Sequence, residues 1–269
     1  IGFIKTDKLN VSGLFWEQYS EKTVRENLKK PNLDLNKYSA GKVLIIAGSR
    51  GMTGAVVLST MSALRSGAGL TISTSLKSLN QIYESTIIEG LTFCLNDNDD
   101  GFLKDKHFDM IMEKVEWSDS VLMGPGLGRN KATQKLIKML VKSINKPLIL
   151  DADGLYPFRS KLNDLEKRKY PLVITPHFGE LSRLIGFEKE IIISEFPEIM
   201  EELQQNFSHT ALIKQIPNCI INKHRVIVNT TGNQGLATAG TGDVLSGLIS
   251  GLISQGFDPF SGTCLGSYI

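Results

Sequence analysis

The feature that most constrains this chain is a rhythm that begins at Lys42, where short runs of almost wholly apolar residues alternate with helical patterns. KVLIIAG has strand length and leads through glycine into the helical TGAVVLSTMSALRSG. LTISTS reads as a strand, SLNQIYES as a short helix, STIIEGLTF as a strand and KHFDMIMEKVEW as a helix. DSVLMG and KPLILDAD read as strands on either side of the helical NKATQKLIKMLVKSI, and YPLVITP as a strand before the helical HFGELSRLIG. Strands without polar alternation are buried on both faces, which requires a mostly parallel central sheet with helices on both sides. The last third differs. TALIKQ, NCIIN and HRVIVN follow one another as strands without helices between them, an antiparallel edge, and the chain is helical from Gly242. The expected fold class is therefore α/β, with one domain from residue 41 to 269 and a polar linker over residues 1–40 that includes LKKPNLDLNKYSAGK.

Ligands of such sheets sit beyond the carboxyl ends of the strands. AGSRGMTG, GPGLGRN, DADG and TPHFGE all fall at strand ends of this kind. Composition removes several other roles. A formal net charge of +2 over 269 residues excludes nucleic-acid binding by bulk electrostatics. No apolar run reaches membrane-spanning length, since Val244 to Phe257 carries Ser246, Ser250, Ser254 and Gln255 and reads as a buried helix. Cys94, Cys219 and Cys264 form neither a disulfide framework nor a metal-ligand spacing, which favours a reducing, cytoplasmic location.

The glycine-rich turns match no standard nucleotide fingerprint. GSRGMTG lacks the lysine of a P-loop, and Gly124, Gly126 and Gly128 have the wrong spacing for a dinucleotide turn. The physical ingredient remains in GTGD, Gly240 to Asp243, where bare amides at a helix start attract an anion and a carboxylate stands beside them. Taken alone, such a helix start is more often just a cap. GPGLG could be a tight turn. His177 and Glu180 could be a capping pair, and Asp151 and Asp153 could bind Mg²⁺ or cap the next turn, with Asp151 leaning to structure.

In order, KVLIIAGSRGMTGAVVLSTMSALRSGAGL, LMGPGLGRN, PLILDADGL, ITPHFGELSRL and NTTGNQGLATAGTGDVLSGLISGL resemble the ADP- or ATP-dependent NAD(P)H-hydrate dehydratases. The GNQG turn followed by TAGTGD is the most specific part. The resemblance implies a ribokinase-like three-layer sandwich. It also implies a lyase that uses ADP or ATP, with Mg²⁺, to phosphorylate the hydroxyl of hydrated NADH or NADPH and then expels the phosphate. Carried over by position, Asp243 is the catalytic base, with Gly240, Thr241 and Gly242 holding the phosphoryl group. Ala55, Gly126, His177 and Asp243 meet the hydrated nicotinamide. Gly242 and the segment Lys214, Gln215, Ile216, Pro217 and Asn218 meet the nucleotide. That segment departs from the family's LKG pattern, leaving nucleotide preference open.

IGFIKTDKL resembles the tail of an epimerase domain, and the family continues beyond TCLGSYI. The chain is expected to be the dehydratase half of a bifunctional protein, cut at both ends, and to form a homo-oligomer. Two rivals stand beside this reading. One is a ribokinase-like kinase for a small vitamin or sugar alcohol, and the other a nucleotide-binding regulatory module that has lost catalysis.

Overall fold

The computed structural model describes residues 16–28 and 34–269. The epimerase-like opening at residues 1–9 lies outside the described residues, as does part of the expected linker. The first half of the sheet comprises β1 Trp16–Gln18, β2 Lys42–Ile46, β3 Leu70–Leu76, β4 Leu91–Leu95 and β5 Ser120–Met123. The second half comprises β6 Leu148–Leu150, β7 Leu172–Ile174, β8 Thr210–Ile213, β9 Asn218–Ile221 and β10 Val226–Asn229. The helices run from α1 Glu21–Asn27, α2 Thr53–Arg65, α3 Asn80–Thr86, α4 Phe108–Trp117 and α5 Lys131–Ser143 to α6 Leu162–Glu166 and α7 Phe178–Ile185. They close with α8 Lys189–Ser194, α9 Phe196–Asn206, α10 Thr241–Ser254 and α11 Pro259–Tyr268.

The strands form one ten-stranded sheet in the order β1-β10-β9-β8-β7-β6-β5-β2-β3-β4. Every neighbouring pair is parallel except β8–β9 and β9–β10, so β9 alone runs against the rest. Val43 to Ile46 on β2 and Val121 to Met123 on β5 are wholly buried, as residues covered on both faces must be. From β2 the chain steps to β3 and β4 in one direction, then returns to β5 beside β2 and steps the other way. Right-handed crossovers in opposite directions place their helices on opposite faces. Accordingly α2, α3, α10 and α11 cover one side, and α4, α5 and the α7–α9 group the other.

Three differences from the sequence reading have physical causes. STIIEGLTF is not one strand, because the Ser85 and Thr86 hydroxyls donate to the Ile82 carbonyl and prolong α3, so β4 starts only at Leu91. β8, β9 and β10 do form an antiparallel run but not the sheet's rim. Within the residue 1–40 stretch, β1 pairs with β10, and Tyr19 and Val24 bury themselves against the core. Finally, α8 and α9 add to the expected helices. Phe196, Ile199, Met200 and Leu203 lie on the buried face of α9, a spacing that carries the signal.

Candidate active site

The reversal between β2 and β5 opens a crevice at the carboxyl edge, and two glycine-rich turns fill its mouth. The turn after β5 is locked to the turn after β2, with the Gly48 amide donating to the Pro125 carbonyl at 2.8 Å and the Ser49 hydroxyl to that of Gly126 at 2.8 Å. Gly126 has φ +61°, and a Cβ there would stand 2.9 Å from the Ala55 Cβ. Ala55 and Gly126 are thus in contact. Gly124 is tighter still: a Cβ would lie 1.8 Å from the Asp151 carbonyl, so only glycine lets β5 and β6 end side by side.

One turn beyond Ala55 on α2, the Ser59 hydroxyl donates to the Asp243 carbonyl at 3.1 Å, and Ser62 donates to that of Val244 at 2.6 Å. These bonds fix the start of α10 against α2. Gly247 and Gly251 lie in the same seam, where a Cβ on Gly247 would meet the Ser59 carbonyl at 2.3 Å. Ser246, Ser250 and Ser254 return their hydroxyls to carbonyls three residues back, which satisfies them inside an otherwise apolar helix.

Gly240 precedes α10 in the left-handed region, at φ +91°. Among the described residues no side chain caps this helix, so the first-turn amides of Thr241, Gly242 and Asp243 face outward with the positive end of the dipole. The Thr241 hydroxyl donates back to the Thr238 carbonyl at 3.1 Å. Below Gly242 lies a buried ion pair, Lys214 Nζ to Asp151 Oδ1 at 2.7 Å, with Asp151 1% exposed. A Cβ on Gly242 would stand 3.5 Å from that ammonium and 3.8 Å from Asp151 Oδ2. Both are ordinary contact distances, so Gly242 lies directly over the pair. The Asp243 carboxyl is half-buried, and burial pushes its pKa up to about 6, with the Asp151 charge adding and Lys214 opposing. Burial alone would lower Lys214, but the carboxylates of Asp151 and Glu180 outweigh it and hold the ammonium above its ordinary value.

Lys214 follows β8 and donates its amide to the Pro176 carbonyl at 2.9 Å, beside His177. His177 caps α7. Its Nδ1 accepts from the Gly179 amide at 3.0 Å, while its own amide donates to Glu180 Oε2 at 3.0 Å. Burial lowers its pKa, with Lys214 and Arg183 adding to the effect and Glu180 opposing. A neutral ring with Nδ1 accepting carries its proton on Nε2. The capping pair read from sequence is present, and Nε2 lies 3.6 Å from Glu180 Oε1.

The structure therefore brings Gly240, Thr241, Gly242, Asp243, Lys214 and His177 to one edge with the Ala55–Gly126 contact. Gln215, Ile216, Pro217 and Asn218 complete the β8–β9 turn beside them, with Ile216 exposed. Asn218 is committed inward, receiving the Gln215 amide and donating to Ser267 Oγ. Asp151 is the residue whose position the sequence least disclosed, because its partner stands 63 positions later. A separate groove of about 450 Å³ between α6, α7 and α9, lined by Leu162, Phe187 and Leu203, carries none of these motifs.

The site also bears on Mg²⁺. Among the described residues no group of three or more Asp, Glu, His or Cys side chains is placed to hold a metal. Asp153 is spent on the Gly128 amide and Arg129, and Asp151 on Lys214. That suits Mg²⁺ held mainly by nucleotide phosphates and water, with at most one or two carboxylates.

A mostly parallel sheet between two helical layers, with a carboxylate on an uncapped helix start at its carboxyl edge, defines the ribokinase-like class. A ribokinase-like protein of Enterococcus faecalis V583 superposes with a TM-score of 0.78 at 28% identity, over 94% of this chain and 85% of its own. The chain belongs to the NAD(P)H-hydrate dehydratase family, whose model matches residues 43–269. The Bacillus subtilis ADP/ATP-dependent NAD(P)H-hydrate dehydratase, co-crystallised with ATP and Mg²⁺, superposes with a TM-score of 0.77 at 26% identity, over 94% of this chain and 86% of its own. A bifunctional NAD(P)H-hydrate repair enzyme of Moorella thermoacetica is 35% identical over 91% of this chain and 46% of its own length. The chain spans about half the length of the curated relatives it matches.

Proposed function

We propose that this chain restores NADH and NADPH from their hydrates, using ADP or ATP to phosphorylate the ring hydroxyl and then eliminating phosphate. The observation that carries this reading is the helix start at Gly242, with amides no side chain caps among the described residues, the Lys214–Asp151 pair below and Asp243 alongside. Hydroxide leaves poorly and phosphate leaves well, so a phosphoryl-transfer site can serve a dehydration. Asp243 accepts the hydroxyl proton as the oxygen attacks the terminal phosphorus, and the Thr241 and Gly242 amides stabilise the charge on the moving phosphoryl oxygens. The nucleotide leaves one phosphate shorter. The ring nitrogen then drives out the phosphate, a ring proton is lost and the dihydronicotinamide double bond returns.

His177 contacts the nicotinamide side, and Ala55 and Gly126 form the floor beneath the ring. Lys214 lends positive charge to the nucleotide phosphates, and Gln215 to Asn218 form the nucleotide's flank. Mg²⁺ supplies charge neutralisation of those phosphates when bound. In the full-length protein an epimerase domain precedes this one, a reading supported by the bifunctional relatives.

The test is to incubate the protein with hydrated NADH and ADP or ATP. Recovery of dihydronicotinamide absorbance with release of inorganic phosphate is expected. A stable phosphorylated product without that recovery would show a kinase instead.

A further inference from the structure

Two segments that the proposed chemistry uses, the β8–β9 turn and the loop before α10, are tied to the last turn of α11. Asn218 opens β9 and Asn229 closes β10, and the two stand directly opposite each other across the antiparallel ladder. Both send their side-chain amides to Ser267. Asn218 Nδ2 donates to Ser267 Oγ at 3.1 Å, and Asn229 Nδ2 donates to the same oxygen at 3.1 Å and to the Ser267 carbonyl at 2.6 Å. Their oxygens are engaged as well. Asn218 Oδ1 accepts from the Gln215 amide at 3.2 Å, which closes the β8–β9 turn. Asn229 Oδ1 accepts from the Thr231 amide at 3.1 Å and from the Thr231 hydroxyl at 2.8 Å, and that hydroxyl also lies 3.1 Å from the Tyr268 carbonyl.

Asn229 is fully buried with both ends of its amide met, the condition under which a buried polar network rigidifies what it joins. What it joins is specific. The turn on one side begins at Lys214. On the other side the chain is exposed from Gly232 to Ala239 before it reaches Gly240. Bonds inside that exposed run are local, from the Gly235 amide to Asn233 Oδ1 and from the Thr241 hydroxyl to the Thr238 carbonyl. Thr231 is thus the point at which the body of the protein sets the loop's departure. We infer that Asn218, Asn229, Thr231 and Ser267 are positioning residues, a clamp that holds the nucleotide-facing turn and the loop leading to Gly240 in one register. The inference rests on the hydrate-dehydratase reading, in which Lys214 serves the nucleotide and the α10 start serves the moving phosphoryl group. Asn218 serves the nucleotide through the shape of the turn, because both ends of its side chain are engaged within the protein.

Ser267→Ala, Thr231→Val and Asn229→Asp test this, with ADP or ATP and hydrated NADH as substrates. Each is expected to raise KM for the nucleotide about tenfold and to lower kcat by about the same factor, with KM for the hydrate within about twofold, since the hydrate's contacts lie at Ala55, Gly126 and His177. Thr231→Ser keeps the hydroxyl and is expected to return both values to within about twofold of the wild-type chain. Nucleotide affinity measured by titration calorimetry needs no turnover and separates the two readings. If the wild-type chain binds ADP or ATP but restores no hydrate, the activity reading fails, while weaker nucleotide binding by the variants keeps the clamp. Variants that melt at a lower temperature yet, well below it, keep wild-type nucleotide affinity, nucleotide KM and kcat would show a network that serves stability alone. That result would overturn the clamp and leave the activity standing.

Discussion

Asp243 holds its charge at a cost, and two consequences follow from that one carboxyl. As the proposed base it works only when ionised. With a pKa raised to about 6 by burial and by Asp151, kcat/KM is expected to fall about tenfold per pH unit below that value. A flat pH profile down to pH 5 would remove Asp243 from the proton transfer. The second consequence concerns stability. The folded pKa lies above the unfolded one, so its stabilising contribution is complete below about pH 4 and is lost as pH rises through 6. Asp243→Asn, which cannot ionise, is therefore expected to melt at a higher temperature than the wild-type chain at pH 7.5. That gap should close near pH 4, and calorimetry at both values reads it directly. The helix start at Gly240 to Asp243 was legible in the sequence because glycine, helix start and carboxylate are all local.

At the scale of elements, β6 and β8 each deliver one half of the Lys214–Asp151 pair beneath α10. Removing only the ammonium leaves a buried carboxylate unpaired. Lys214→Met is expected to destabilise the fold by about 3 kcal/mol, and Asp151→Asn in the same background to recover part of that loss. Urea unfolding of the four combinations measures the coupling, and purely additive effects would deny it. The α2–α10 seam gives a different kind of sensitivity. Gly247→Val is expected to cost about 3 kcal/mol in the same measurement, since its side chain would drive into the Ser59 backbone. Gly247 and Gly251 stand four apart in the sequence, and the close packing of α10 on α2 accounts for both. Nothing local announced Asp151. A carboxylate at a strand end reads as a turn cap until the fold supplies Lys214. Nor could β1 be anticipated, since three residues within a polar stretch become a strand only because β10 offers an open edge.

For the molecule as a whole, the order of the strands does most to assemble the site. Reversal between β2 and β5 joins Ala55 to Gly126, and extension to β7 and β8 brings His177 beside Lys214. The α/β class could be read from apolar strands alternating with helices, because burial on both faces leaves so plain a pattern. Which loops become neighbours could not, because register and order arise from packing between distant segments. The family's motifs, spread from Gly41 to Gly256, converge only once that order is imposed. That convergence underlies the function proposed for the GTGD helix start, and Asp243→Asn addresses it most directly. Turnover of hydrated NADH with ADP or ATP is expected to drop by about a thousandfold, with nucleotide affinity within a few-fold of the wild-type chain. Turnover within threefold of wild type, in a variant that folds and binds nucleotide normally, would contradict the mechanism.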